Sequence, residues 1–212
     1  MTTDEMQDVA AQRNGEIEHG VDAGDHLEFV DWLEANPEDG TLEFRATGIT
    51  EEVANRTTAT IGDWALGGEE MGGDREHVLV FGLPPELEEA MAYVEPSDRH
   101  EAIEVALAGL TACIDGTVVY NAIREGIDVE AVTTTVRAPV DLRMLFGIHD
   151  VDSARDMYGE LWIDVNVTGD LTTAERSMVR EFPKRSPVYN LVTLEHPNRP
   201  NVQIQSASRS AH

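Results

Sequence analysis

Apolar positions along the chain change period several times, and each change marks an element. Between Asp22 and Asn36 the side chains of Leu27, Phe29, Val30, Trp32 and Leu33 fall at helical spacing, and Pro37 and Gly40 end the run. Leu42, Phe44 and Ala46 alternate with polar neighbours, the period of a half-buried strand, and Thr57–Ile61 reads as a second strand. Gly67, Gly68, Gly72 and Gly73 mark a loop, Val78–Phe81 a short apolar strand broken by Pro84 and Pro85, and Glu86–Tyr93 a short helix. The strongest element runs from Glu101 to Arg124. It lacks proline and is apolar nearly all round, and Gly126 stands where a left-handed cap is wanted, so the pattern predicts a buried helix. Val129, Val132 and Val136 predict a long strand ending near Pro139, and Leu161, Ile163, Val165 and Val167 alternate cleanly as another. Thr172-Thr173-Ala174-Glu175 opens a helix with a capping-box spacing, Val188–Leu194 reads as a short helix or strand, and Val202–Ile204 as a last strand. Strands, a central helix, further strands and a helix predict an α+β domain. Residues 1–20 are polar and weakly patterned, as expected of a flexible acidic arm. One domain then covers residues 21–205, with a leading helix over 21–37 and the central helix within 99–125, and residues 206–212 form a polar tail.

Charge changes the picture of the surface. Among 212 residues, 15 Lys+Arg stand against 41 Asp+Glu, a net charge of -26. Lys184 is the only lysine. At molar salt the Debye length falls to about 3 Å and screens most of the resulting self-repulsion. Such a chain, still carrying an apolar pattern, reads as a protein adapted to the high-salt cytoplasm of an extreme halophile. An acidic protein of an ordinary cell, or a surface built for a basic partner, are the alternatives. A nucleic-acid binder needs a basic face, which this composition does not offer. The absence of an unbroken run of about 18 apolar residues predicts no membrane span, and Met1–Arg13 lacks the basic and apolar regions of a secretory signal. Cys113 is the only cysteine, so an intrachain disulfide is excluded and a reducing, cytoplasmic setting is expected.

Most chemical motifs are missing. The glycine-rich stretch carries Glu69, Glu70 and Asp74 but lacks the lysine of a phosphate loop. The seven histidines show no metal-ligand spacing, so no metal or other cofactor is expected. There is no G-x-S-x-G elbow, and among 41 acids any pair of carboxylates is uninformative. Cys113 differs. Ala106, Gly109, Cys113, Gly116, Thr117 and Tyr120 follow one stripe of the long helix at three- and four-residue steps, which lets another backbone approach closely. The plain alternative is a small buried cysteine that packs like alanine.

At this helix the chain resembles the OsmC/Ohr family, thiol-dependent peroxidases of the osmotically inducible and organic-hydroperoxide-resistance type. The resemblance is carried by Glu104-Val-Ala-Leu-Ala-Gly-Leu-Thr-Ala-Cys113-Ile-Asp-Gly-Thr-Val-Val-Tyr120, by Asp141-Leu-Arg-Met-Leu-Phe-Gly147-Ile, and by Arg185-Ser186-Pro187-Val188-Tyr189. The helix from Val21 and the strand Phe44-Arg45-Ala46 add to it, so that it spans roughly residues 20–205. It implies an OsmC-like fold, an antiparallel sheet wrapped around a long buried central helix, in an intertwined homodimer with active sites at the subunit interface. It also implies that Cys113 is the peroxidatic cysteine, that Glu104 is the glutamate nine residues before it, and that Arg56 is the active-site arginine. The chain departs from the family twice. Ser186 stands where many members keep a resolving cysteine, which makes this a single-cysteine form with Ser-Pro-Val in place of Cys-Pro-Val. Arg99-His100-Glu101-Ala102 replaces the family's Gly-x-Asn-Pro turn.

The chemistry that follows is a peroxidase reducing an organic hydroperoxide, with an external thiol as reductant. A peroxidatic cysteine acts as thiolate, and Cys113 lies too deep in its helix for that helix's dipole to act on it. A cation is therefore expected, with Arg56 as the candidate. On a regular helix Glu104 and Cys113 point to opposite faces, so both serve one pocket only through an irregular start or a second subunit. The competing expectation is an inert OsmC-like dimeric binding or structural protein with a buried cysteine.

Overall fold

The computed structural model of the chain describes residues 10–197 and 200–204. A short ribbon, β1 (Ile17–Glu18) with β2 (Val21–Asp22), leads into α1 (Ala23–Ala35), and the Asp22 carboxylate caps that helix by accepting the N–H groups of Gly24 and Asp25. β3 (Leu42–Thr50) and β4 (Thr57–Leu66) form a long hairpin, and β5 (Glu69–Met71) and β6 (His77–Phe81) both pair with β4. There follow α2 (Pro85–Ala90), α3 (Ala102–Glu125), β7 (Ala131–Arg137), α4 (Leu142–Leu145), β8 (Trp162–Thr168), α5 (Thr173–Val179) and α6 (Pro187–Thr193). Every pairing between these strands is antiparallel, β7 with β8 included, and the mixture of helix and sheet is the α+β class expected.

Local chemistry explains the boundaries. Gly67 and Gly68 both have positive φ, 56° and 83°, which a two-residue β4–β5 hairpin turn requires, so the glycine stretch is in part a tight turn. α3 starts on a capping box: Glu101 accepts the N–H of Ile103, and Glu104 accepts the N–H of Glu101. It ends on Gly126, left-handed at φ 66°. α5 opens on the Thr172–Glu175 box that its sequence predicts.

Two expectations at the ends of the chain need correction. Residues 201–204 are not in a strand; the short apolar alternation there finds no sheet edge to pair with. Residues 10–20 are not a loose arm. Ala10 is buried, and Arg13 Nη1 donates to the Ile123 carbonyl at 2.6 Å while also pairing with Glu16 and Glu18. The last carbonyls of a helix lack partners within it and favour a cation, so one arginine fastens this segment to the end of α3. Residues 1–9 and the tail from 205 to 212 lie outside the described residues.

The core is built on one side of α3. Leu110, Ile114, Val118 and Ala122 recur every fourth residue and are buried against Val132, Val136, Ile163, Val165 and Val167 of the β7–β8 pair, with Leu171, Val179 and Phe182 closing the cluster. The other side is open. Ala106, Gly109, Ala112 and Tyr120 are exposed, which corrects the expectation of a helix buried all round. The β3–β6 sheet makes no extensive contact with α3, so within the chain it does not wrap the helix. Every residue of β3 is exposed, and Phe44, Ile49, Val78 and Val80 are among the uncovered apolar side chains. The chain presents 15430 Å² to solvent, more than half again the ~9,700 Å² that size scaling gives for a compact monomer. By length and composition alone, α3 is also long and apolar enough to cross a membrane. Glu104 and Asp115 interrupt its apolar run. In this fold its buried stripe packs on β7 and β8.

Candidate functional site around Cys113 and Arg56

Cys113 sits in the middle of α3 and is half-buried. Its Sγ accepts a hydrogen bond at 3.5 Å from the backbone N–H of Val188, 75 residues further along the chain. The sequence Ser186-Pro187-Val188 explains why that N–H is available. Ser186 is the N-cap of α6, and its Oγ accepts the N–H of Tyr189 at 3.2 Å. Pro187 has no N–H to offer. Val188 therefore carries the first unclaimed donor of the helix, and it points at the sulfur. Ser186 itself is fully buried. The sequence reading looks only for a cation beside Cys113 and misses this donor, although a serine before a proline is a legible helix start.

Arg56 ends the turn between β3 and β4, after Asn55 at φ 57°. Its guanidinium grips the carboxylate of Glu88 from α2, Nε to Oε1 at 3.3 Å and Nη2 to Oε2 at 2.8 Å, and Nη2 also donates to the Glu95 carbonyl at 2.7 Å. Glu88 Oε2 accepts the Ser97 N–H at 2.7 Å as well. Both side chains are buried, Glu88 completely. The hydrogen bond from Arg56 holds the Glu88 carboxyl below its ordinary range, with the Ser97 N–H helping and burial opposing. A second pair lies beside the first: Arg99 Nη1 donates to Glu51 Oε1 at 2.7 Å, and Thr58 donates to the same oxygen. Glu88 is a residue that sequence reasoning missed. Nothing distinguishes it among 41 acids except that a buried arginine needs a carboxylate.

Glu104 does not touch Arg56. Its Oε2 accepts the Glu101 N–H at 3.0 Å in the capping box. α3 is regular from end to end, so nine residues separate Glu104 from Cys113 by about 13.5 Å along the axis and half a turn around it. Within one chain, then, the three site residues expected from the sequence are held by three different sets of partners. An apolar hollow of about 720 Å³ lies beside the Arg56 turn, lined by Ala54, Leu87, Met91, Ile103, Leu107 and Phe146 among others. Among the described residues no group of His, Cys, Asp or Glu is placed to hold a metal ion.

No family model and no curated protein matches the chain. Solved structures do. An OsmC-like protein from Mycoplasma pneumoniae is 15% identical, with 71% of this chain and 86% of that chain covered, at a TM-score of 0.48. An organic hydroperoxide resistance protein from Elizabethkingia anophelis is 15% identical over 71% of this chain and 88% of that one, at 0.45. The organic hydroperoxide resistance protein OhrB of Bacillus subtilis is 14% identical over 71% and 90%, at 0.40.

Proposed function

We propose that the chain is a thiol-dependent peroxidase that reduces organic hydroperoxides through Cys113, as a homodimer. The observation that carries the reading is the Val188 N–H aimed at Cys113 Sγ. It joins the helix and the Ser-Pro-Val turn, two segments that each resemble the OsmC/Ohr pattern, and it places a backbone hydrogen-bond donor at the sulfur. The thiolate attacks the distal oxygen of the hydroperoxide. An S–O bond forms, the O–O bond breaks, and the leaving alkoxide takes a proton to become the alcohol, leaving a cysteine sulfenic acid. One external thiol then displaces water to give a mixed disulfide. A second attacks that disulfide and frees the Cys113 thiol, which is the course required when the chain has no other cysteine.

Homodimerisation is supported by the uncovered faces of α3 and of β3, and by the opposite-face placement of Glu104 and Cys113. In the intertwined homodimer that the OsmC/Ohr resemblance implies, the Arg56 turn and Glu104 of one protomer approach Cys113 of the other. Arg56 then acts as the cation and the neighbouring apolar hollow takes the organic group of the substrate. The hydrogen bonds of Arg56 to Glu88 and Glu95, with none to Cys113, favour one competing reading, an inert dimeric binding protein of the same fold.

Mass spectrometry after one equivalent of cumene hydroperoxide in molar salt decides between them. A dimedone adduct on Cys113, with catalytic consumption of hydroperoxide in the presence of a dithiol, is the expected result. A Cys113 that stays reduced removes the peroxidase reading and leaves the inert protein.

A further inference from the structure

We propose that Glu88 is the positioning residue for Arg56 in this site, an assignment that rests on the peroxidase reading above. The geometry of the guanidinium motivates it. Arg56 has five N–H donors. Nε and one Nη2 donor are taken by the two oxygens of the Glu88 carboxylate, and the other Nη2 donor by the Glu95 carbonyl. The two donors of Nη1 have no acceptor among the described residues, while Nη1 is not sealed from its surroundings as a buried unpartnered atom is. A fork-to-fork pair fixes the plane and the rotation of a guanidinium, so Glu88 decides which edge is left free.

Glu88 is built for that task. It is fully buried, and its Oε2 is pinned by the Ser97 N–H. Its helix starts on Pro85, which presets the backbone of the first turn. The other charged and titratable groups facing the pair are Glu51, Arg99 and Tyr93. Arg99 occupies Glu51, and the Tyr93 hydroxyl donates to the Ala54 carbonyl, so neither competes for the Nη1 edge. Glu104 has a different task at the start of α3. The free edge is thus held ready for an anion that this chain does not itself supply at that place, which in the dimer is the Cys113 thiolate or the peroxide oxygen it attacks.

The test is the pH profile of Cys113 alkylation in molar salt, read with the rate of oxidation by cumene hydroperoxide, for the whole protein and five variants. Glu88→Gln keeps the shape but offers an amide N–H₂ where the guanidinium needs an oxygen. Glu88→Asp keeps the charge but shortens the reach by one methylene. Both are expected to move the alkylation midpoint up by about one pH unit and to slow oxidation roughly tenfold near neutral pH. Arg56→Ala is expected to do the same, and combining it with Glu88→Gln is expected to add nothing. Glu89→Gln removes one charge from the exposed side of the same helix and is expected to leave the midpoint in place.

The sign of the shift discriminates. Removing a negative charge beside an unmoved arginine makes the site more positive and shifts the midpoint down, which would overturn a positioning role. A lower melting temperature with an unchanged midpoint would likewise reduce Glu88 to a structural residue, and so would an additive effect in the Arg56→Ala background. If Glu88→Gln does not fold, Glu88→Asp carries the test by reach alone: a raised midpoint supports positioning, and an unchanged one overturns it. An Arg56→Ala variant with an unaltered profile is a separate failure: it removes Arg56 from the peroxidase reading, and the role of Glu88 with it.

Discussion

Gly109→Leu separates a free helix surface from a subunit interface by the sign of its effect. In the isolated chain a Cβ at Gly109 would meet nothing within 4 Å, so the position is open and helical. Glycine in a helix interior is about 1 kcal/mol worse than alanine, and leucine is close to alanine, so an open Gly109 gains about 0.8 kcal/mol on substitution. A second α3 packed on the small-residue face reverses this. Each inserted side chain then overpacks a close contact at a cost of about 1–3 kcal/mol, and a symmetric dimer carries two of them. The dimer is weakened by about 2–6 kcal/mol, so its dissociation constant rises at least roughly 30-fold. Sedimentation equilibrium in molar potassium chloride gives the mass against concentration, and circular dichroism melts give the stability. The expected outcome is a wild-type dimer, and a variant that dissociates at concentrations where the wild type does not. A variant that keeps its mass and melts higher would refute packing at this face. So would a wild-type protein that is monomeric throughout.

Four further outcomes follow from the same structure. Circular dichroism across potassium chloride from about 50 mM to about 3 M should show structure lost toward low salt, because screening at molar salt cuts the range of repulsion to about 3 Å; equal stability at both ends would remove the halophilic reading of the -26 charge. Glu88 has a folded pKa below its unfolded one, so its stabilisation is present above the unfolded value of about 4.3 and is lost as pH falls through the folded value. Urea midpoints should therefore drop below about pH 4, and Glu88→Gln should flatten that limb; an unchanged acid limb argues against the pair. Ile114→Ala, at a fully buried position in the α3 stripe, should cost about 2–5 kcal/mol by urea unfolding; a loss below that range would mean the stripe is not the core. Thr172→Ala removes one half of a capping box and should cost about 1 kcal/mol, read by the same unfolding curve.

The sequence by itself determined the elements whose signals are local. The period of the apolar positions marked α1 and α3, the alternation of Ile163, Val165 and Val167 marked β8, and Thr172 with Glu175 marked the start of α5. Cys113 stood out for a local reason too, as the one thiol on a stripe of small residues. What only the tertiary structure decided depends on partners far apart in the chain. Periodicity cannot say which side of an all-round apolar helix faces the core; the choice fell to the β7–β8 face, and left Gly109 open. The family resemblance implied Glu104 as the carboxylate of the site, yet the guanidinium of Arg56 closed on Glu88, 32 residues from it, because a buried arginine takes the carboxylate that folding brings within reach. The donor at Cys113 was equally non-local. Which backbone N–H a proline leaves unclaimed is legible in the chain, but where that N–H points is set by how α6 docks on α3.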